Sequence, residues 1–147
     1  GKIVDLGVTD ANNMGAAMAP AAAQTFIDYF ADTNTKPSDY DAVFTGDLGL
    51  VGSRSLYDLL RLENIDLEPK HYDCGMMIFD LEGQDVHAGG SGCGCAGSVF
   101  CSEILNSVNS GKYNNILFMA TGALMNPMII EQGESIPAIA HAVAIEI

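Results

Sequence analysis

Two rhythms of hydrophobic and polar positions run along this chain, one of period two and one near 3.6. Lys2-Ile3-Val4-Asp5-Leu6-Gly7-Val8 reads as a buried strand, closed by the polar run Thr9 to Asn13. Ala22, Ala23, Phe26, Ile27 and Phe30 then make one apolar stripe, predicting a helix with Pro20 in its first turn, where a missing N–H costs nothing. Tyr40 to Thr45 is the next strand and ends in Gly46-Asp47-Leu48-Gly49. Ser53 is placed to cap a short helix carrying Leu56, Leu59 and Leu60, which Asn64 closes. Tyr72 to Phe79 gives a third extended segment.

After it comes a glycine-dense loop, Asp85-Val86-His87-Ala88-Gly89-Gly90-Ser91-Gly92-Cys93-Gly94-Cys95. Phe100, Ile104 and Val108 follow at helical spacing, so a helix leaves the loop near Ser91 and stops at Gly111. Two readings of the loop stand: a seat of backbone N–H groups for an anion or carbonyl, or a tight turn before a closely packed helix. No nucleotide fingerprint fits, because there is no Lys-Ser/Thr pair and the glycines are too dense for a dinucleotide loop. Asn115 to Thr121 is the most strand-like run of all, ending in Gly122-Ala123-Leu124, and Ile136 to Ile147 returns as a last strand. The order β-α-β-α-β-α-β-β predicts an α/β fold with a mixed, mostly buried sheet covered by helices. Ligands in such folds sit beyond the carboxyl ends of strands, which here carry Thr9-Asp10, Thr45-Gly46-Asp47 and Thr121-Gly122.

Composition narrows the function. The length of 147 residues is that of one domain, and the 48% hydrophobic content calls for strands buried on both faces or for a partner surface. No apolar run approaches the roughly 20 residues of a membrane span. A net charge of −13 with only 6 basic residues excludes a nucleic-acid footprint. Any anion must be met by helix starts, by one or two arginines or by a bound cation. Cys93 and Cys95 are spaced too closely for a usual structural zinc pair, so small buried thiols are the better reading of the four cysteines. His87 reads as a loop residue, His141 as a satisfied core histidine and His71 as a surface one. No signal or transit segment is expected, and a start at Gly1, directly on a strand, reads as part of something longer.

The motifs Gly7-Val8-Thr9-Asp10-Ala11-Asn12-Asn13-Met14-Gly15, Thr45-Gly46-Asp47-Leu48-Gly49, Asp73-Cys74-Gly75, Gly89-Gly90-Ser91-Gly92-Cys93-Gly94-Cys95, Thr121-Gly122-Ala123-Leu124 and Ile136-Pro137-Ala138-Ile139-Ala140-His141 fall in an order that resembles the C-terminal half of the stage V sporulation protein AD family. That family is similar to the thiolase fold of β-ketoacyl synthases, built from two like halves. The resemblance implies that residues 1–147 are a C-terminal thiolase-like domain of a two-half protein. It also implies non-enzymatic binding of dipicolinic acid, with or without calcium, by the soluble subunit of a spore channel complex at the forespore inner membrane. Synthases place a catalytic His in a Pro-His-Gln-Ala-Asn run, where Thr45 to Gly49 stand here, and an Asn before a helix, where Gly89 to Cys93 stand. Neither residue is present, so the chain is not expected to be an enzyme and no cofactor is expected. The implied ligand site is Asp47, Gly89, Gly90, Ser91, Gly92, Cys93, Thr121 and Gly122, with Asp47 either a strand-end cap or a holder of calcium. The implied partners are the other channel proteins and either the N-terminal half or a second copy in a homodimer. An acyl-thioester condensing enzyme and a purely structural scaffold remain as alternatives.

Overall fold

In the computed structural model, which describes residues 1–147, a five-stranded mixed sheet runs in the order β1-β5-β4-β2-β3. Its strands are β1 (Ile3–Val4), β2 (Ala42–Thr45), β3 (His71–Asp73), β4 (Asn115–Ala123) and β5 (Ala138–Glu146). Strand β2 pairs in parallel with β3 and β4, whereas β5 runs antiparallel to β4 and β1. The helices are α1 (Met14–Thr33), α2 (Gly49–Arg61), α3 (Cys74–Met77), α4 (Cys95–Val99), α5 (Leu105–Asn109) and α6 (Pro127–Glu131), with a π-helical stretch at Phe100–Ile104 joining α4 to α5.

The period-two pattern builds a core on each face of the sheet. Val43, Leu117, Met119, Ala138 and Ala140 point to one side and pack with Phe26, Phe30, Leu56 and Leu60 of α1 and α2. Ala42, Phe44 and Ile116 point to the other and meet Cys95, Val99, Ile104 and Val108 of the α4–α5 helix. All of β2 is buried, as a central parallel strand covered on both faces must be. Removing a side chain such as Phe44 from water contributes about 1.5–3 kcal/mol. Helices α1 and α2 cross at their glycines. A methyl on Gly52 would stand 2.7 Å from the Cα of Gly15, so the backbones touch where side chains would keep them apart.

Several sequence expectations need correction. Strand β1 keeps only two residues, and Ile3 and Leu6 are 75% and 67% exposed, because it is an edge strand with a single partner. Helix α1 starts at Met14, with the Asn13 side chain accepting from the Ala16 amide at 3.1 Å, so Pro20 lies inside it and not in its first turn. The third extended segment stops after Asp73, whose carboxylate accepts from the Met76 amide at 3.2 Å and turns the chain into α3. The loop helix begins at Cys95 and not near Ser91. Ser53 is not the cap of α2, which starts four residues earlier at Gly49.

Candidate functional site

Chemistry-bearing groups gather where β2 and β4 end and the glycine loop folds back over them. The main chain makes that seam first. Gly75 donates to the Gly46 carbonyl at 3.2 Å and receives the Gly90 amide on its own carbonyl at 2.7 Å, while Leu50 donates to Ala88 at 2.8 Å. A side chain on Gly75 would collide with the Gly90 carbonyl and press on Asp73 and on the Asp47 backbone. Only glycine fits between the strand end and the loop.

Asp47 locks the same seam with its side chain and is 9% exposed. Its Oδ2 accepts from the Ser91 hydroxyl at 2.8 Å and from the Gly92 amide at 2.9 Å. Its backbone amide donates to Thr121 Oγ1 at 3.2 Å, and that hydroxyl donates on to Asp47 Oδ1 at 3.4 Å. Asp47 thus caps the glycine loop across the sheet ends, and it engages two donors of the seat that the sequence offered to a ligand.

Two clefts share Asp47 as a wall. The first, about 470 Å³, is lined by Asp10, Asn12, Asn13, Met14 and Gly15 together with Asp47, Gly49 and Gly89 to Ser91. The second, about 380 Å³, is lined by Asp47, Gly92, Cys93, Thr121 and Gly122 with Met14, Met18 and Met125. The structure therefore brings together every residue of the implied site but divides it, with Gly89, Gly90 and Ser91 on one side of Asp47 and Gly92, Cys93, Thr121 and Gly122 on the other. The start of the 20-residue helix α1 opens onto the first cleft, where the amides of Met14 and Gly15 have no acceptor. Donors of that kind with a helix dipole behind them favour an anionic group.

Behind the site lies a buried relay centred on Asp73, which is not among the residues of the implied site. Its two oxygens accept from the Leu48 amide at 2.9 Å, the Gly49 amide at 2.8 Å, the Met76 amide at 3.2 Å and the Thr45 hydroxyl at 2.6 Å. One carboxylate caps both α2 and α3, which is why α2 needs no cap of its own. Burial raises the Asp73 pKa, and those four donors oppose the rise. Thr45 spends its proton on Asp73, so His71 Nε2, 2.7 Å from Thr45 Oγ1, is the donor of that pair. His71 Nδ1 then accepts from the Tyr57 hydroxyl at 2.6 Å. The imidazole is neutral, with both nitrogens engaged, and burial pushes its pKa down to about 4.

The histidines overturn two expectations. His71 is not a surface residue, because β3 places it against Thr45 and α2. His141 is not in the core; it falls on the exposed face of β5. His87 is an exposed loop residue, as expected, at φ 50°. Of the cysteines, Cys74 and Cys95 are buried but Cys93 and Cys101 are exposed, so the buried-thiol reading holds for half of them. Burial, reinforced by Asp73, Cys95 and Asp47, pushes the Cys74 thiol up to about 12. Burial raises Cys95 as well.

The architecture is that of an α/β domain with polar clefts at the carboxyl ends of its parallel strands, and no helix in it is long and apolar enough to cross a membrane. The model of the stage V sporulation protein AD family matches residues 1–146, and the chain belongs to that family. It is 47% identical over 146 residues to stage V sporulation protein AD of Bacillus subtilis (strain 168), an alignment covering 99% of this chain and 43% of that relative. The chain thus spans less than half the length of the curated relative it matches.

Proposed function

We propose that this sporulation protein binds dipicolinic acid, without catalysis, at the paired clefts around Asp47, as the soluble ligand-holding subunit of a spore channel complex at the inner membrane. The observation that carries this reading is the junction itself: free helix-start amides at Met14 and Gly15 face one cleft, and the loop amides and Thr121 adjoin the other. One carboxylate of a flat dicarboxylic acid meets the α1 amides. The carboxylates of Asp10 and Asp47 lie on the same cleft, whose lining has no arginine or lysine, so calcium accompanying the ligand offsets their repulsion. The absence of chemistry is supported by the histidines. Neither cleft is lined by an imidazole, and the one behind them, His71, has both nitrogens committed to Thr45 and Tyr57.

The outer face of the α4–α5 helix supports a second part of the proposal. Gly94, Gly97, Ser98 and Cys101 are exposed along it, and nothing lies within 4 Å of a methyl built on Gly97. We place the other thiolase-like half, or a second copy, over this strip.

Calorimetry of the intact protein with dipicolinate, with and without calcium, tests the binding. Saturable binding that Ser91→Ala and Asp47→Ala weaken by tenfold or more is expected, with tighter binding when calcium is present. Binding that ignores both substitutions, or acyl-transfer activity in the intact protein, overturns the reading.

A further inference from the structure

We propose a second, separate ligand site between α2 and the turn at Glu68–Lys70, taking a small molecule through a carboxylate or phosphate head group. The cleft there is about 450 Å³, within the range of small-ligand pockets, and is lined by Leu50, Ser53, Arg54, Tyr57, Asp58, Arg61, Glu68 and Met76.

Three observations converge on it. The chain has two arginines, Arg54 and Arg61, and both line this one cleft although the net charge is −13. Arg61 is held in place by Glu68 at 2.6 Å and Asp58 at 3.2 Å, while Arg54 forms no ion pair. A guanidinium left unpaired among so many carboxylates is a donor fork without an acceptor. Ser53, one turn before Tyr57 on the same helix, is 2% exposed, and its Oγ is the one buried side-chain oxygen or nitrogen without a hydrogen-bond partner. A buried hydroxyl in that condition is costly, and because Ser53 lines the cleft, a turn about its χ1 towards an acceptor oxygen there relieves it. Tyr57 gives the wall a fixed shape, since its hydroxyl is tied to His71 at 2.6 Å.

The local balance sets the ligand's charge. Asp58 and Glu68 offset the two arginines, so the cleft suits a single oxyanion group and not a polyanion. This site shares no lining residue with the clefts around Asp47 and does not rest on their proposed role.

The test is an amide chemical-shift titration of the intact protein with inorganic phosphate and, separately, with acetate, at constant ionic strength in chloride. Saturable shifts at Arg54 and Tyr57 with at least one of the two are expected, and which one answers identifies the head group. Arg54→Gln and Ser53→Ala should each weaken that response by tenfold or more. Both should fold: the arginine is exposed, and Ser53→Ala removes an unpartnered hydroxyl at nearly constant volume. Asp47→Asn should leave the response intact. No saturable shift in the wild type, an undiminished response in either Arg54→Gln or Ser53→Ala, or its loss in Asp47→Asn overturns the proposal.

Discussion

Asp47 and Gly92 are 45 positions apart in sequence, yet the carboxylate of one holds the amide of the other at 2.9 Å. This single bond, with the Ser91 hydroxyl beside it, ties the glycine loop to the end of β2. Replacing Asp47 by Ala leaves both donors without their acceptor. The expected loss is about 1–3 kcal/mol of stability. Urea unfolding of the variant checks it, and hydrogen exchange at Gly92 should quicken before exchange in β2 does. Unchanged exchange at Gly92 would mean that the loop holds itself.

Acid should weaken the fold through His71. Its folded pKa of about 4 lies below the ordinary 6.5, so the unfolded chain takes up a proton where the folded chain refuses it. The stabilisation is complete above about pH 6.5 and is lost as pH falls towards 4, amounting to roughly 3 kcal/mol in order of magnitude. Asp73 acts in the opposite sense, since burial raises its pKa and favours the protonated folded form. Urea midpoints between pH 7 and 4.5, compared with those of His71→Gln, separate the two; the variant should lose most of the His71 slope.

Two glycines should respond oppositely to a methyl. Gly52→Ala drives a Cβ to 2.7 Å from the Gly15 backbone and should cost about 1–3 kcal/mol. Gly97→Ala meets nothing within 4 Å and should stabilise this chain by about 0.5–1 kcal/mol through its helix preference. In the intact protein, where we place another half or copy over that strip, Gly97→Ala should destabilise instead. Thermal melts of both forms give the answer.

Thiol chemistry should sort the cysteines by burial. Under a modest excess of iodoacetamide at mildly alkaline pH, Cys93 and Cys101 should be alkylated, with Cys74 and Cys95 protected until the protein unfolds. Peptide mass spectrometry reads the pattern directly. Early labelling of Cys74 would show that the β3–α3 junction opens.

What the sequence made legible was whatever local periodicity governs. The stripe Ala22 to Phe30, the runs behind β2, β4 and β5, and the stops at Asn64 and Gly111 all fell where expected, with Asn64 and Gly111 at φ 59° and 74°. Tertiary partners decided the rest. Ser53 looked like a cap because its type suits one, but Asp73, from another strand, caps α2 instead. Met76 to Phe79 looked extended because a short apolar run fits a strand or a helix equally well, and only the Asp73–Met76 bond decides. The Asn126-Pro127 pair that opens α6 is a local signal of the same kind, Pro being favoured at a first helical position. The candidate site was legible as a set of strand ends and one loop; that Asp47 would divide it depended on contacts spanning 45 and 74 positions.

Strand β5 comes last in the sequence but second in the sheet, and the beginning of the chain leans on it. Ile3 pairs with Ile139, and Thr25 of α1 donates to the Ala140 carbonyl at 3.1 Å. On a ribosome, then, β1 and α1 must wait for β5 to emerge before these contacts can form. Apolar surface on α1 stays open to chaperones or to misassembly while the residues between α1 and β5 are being made.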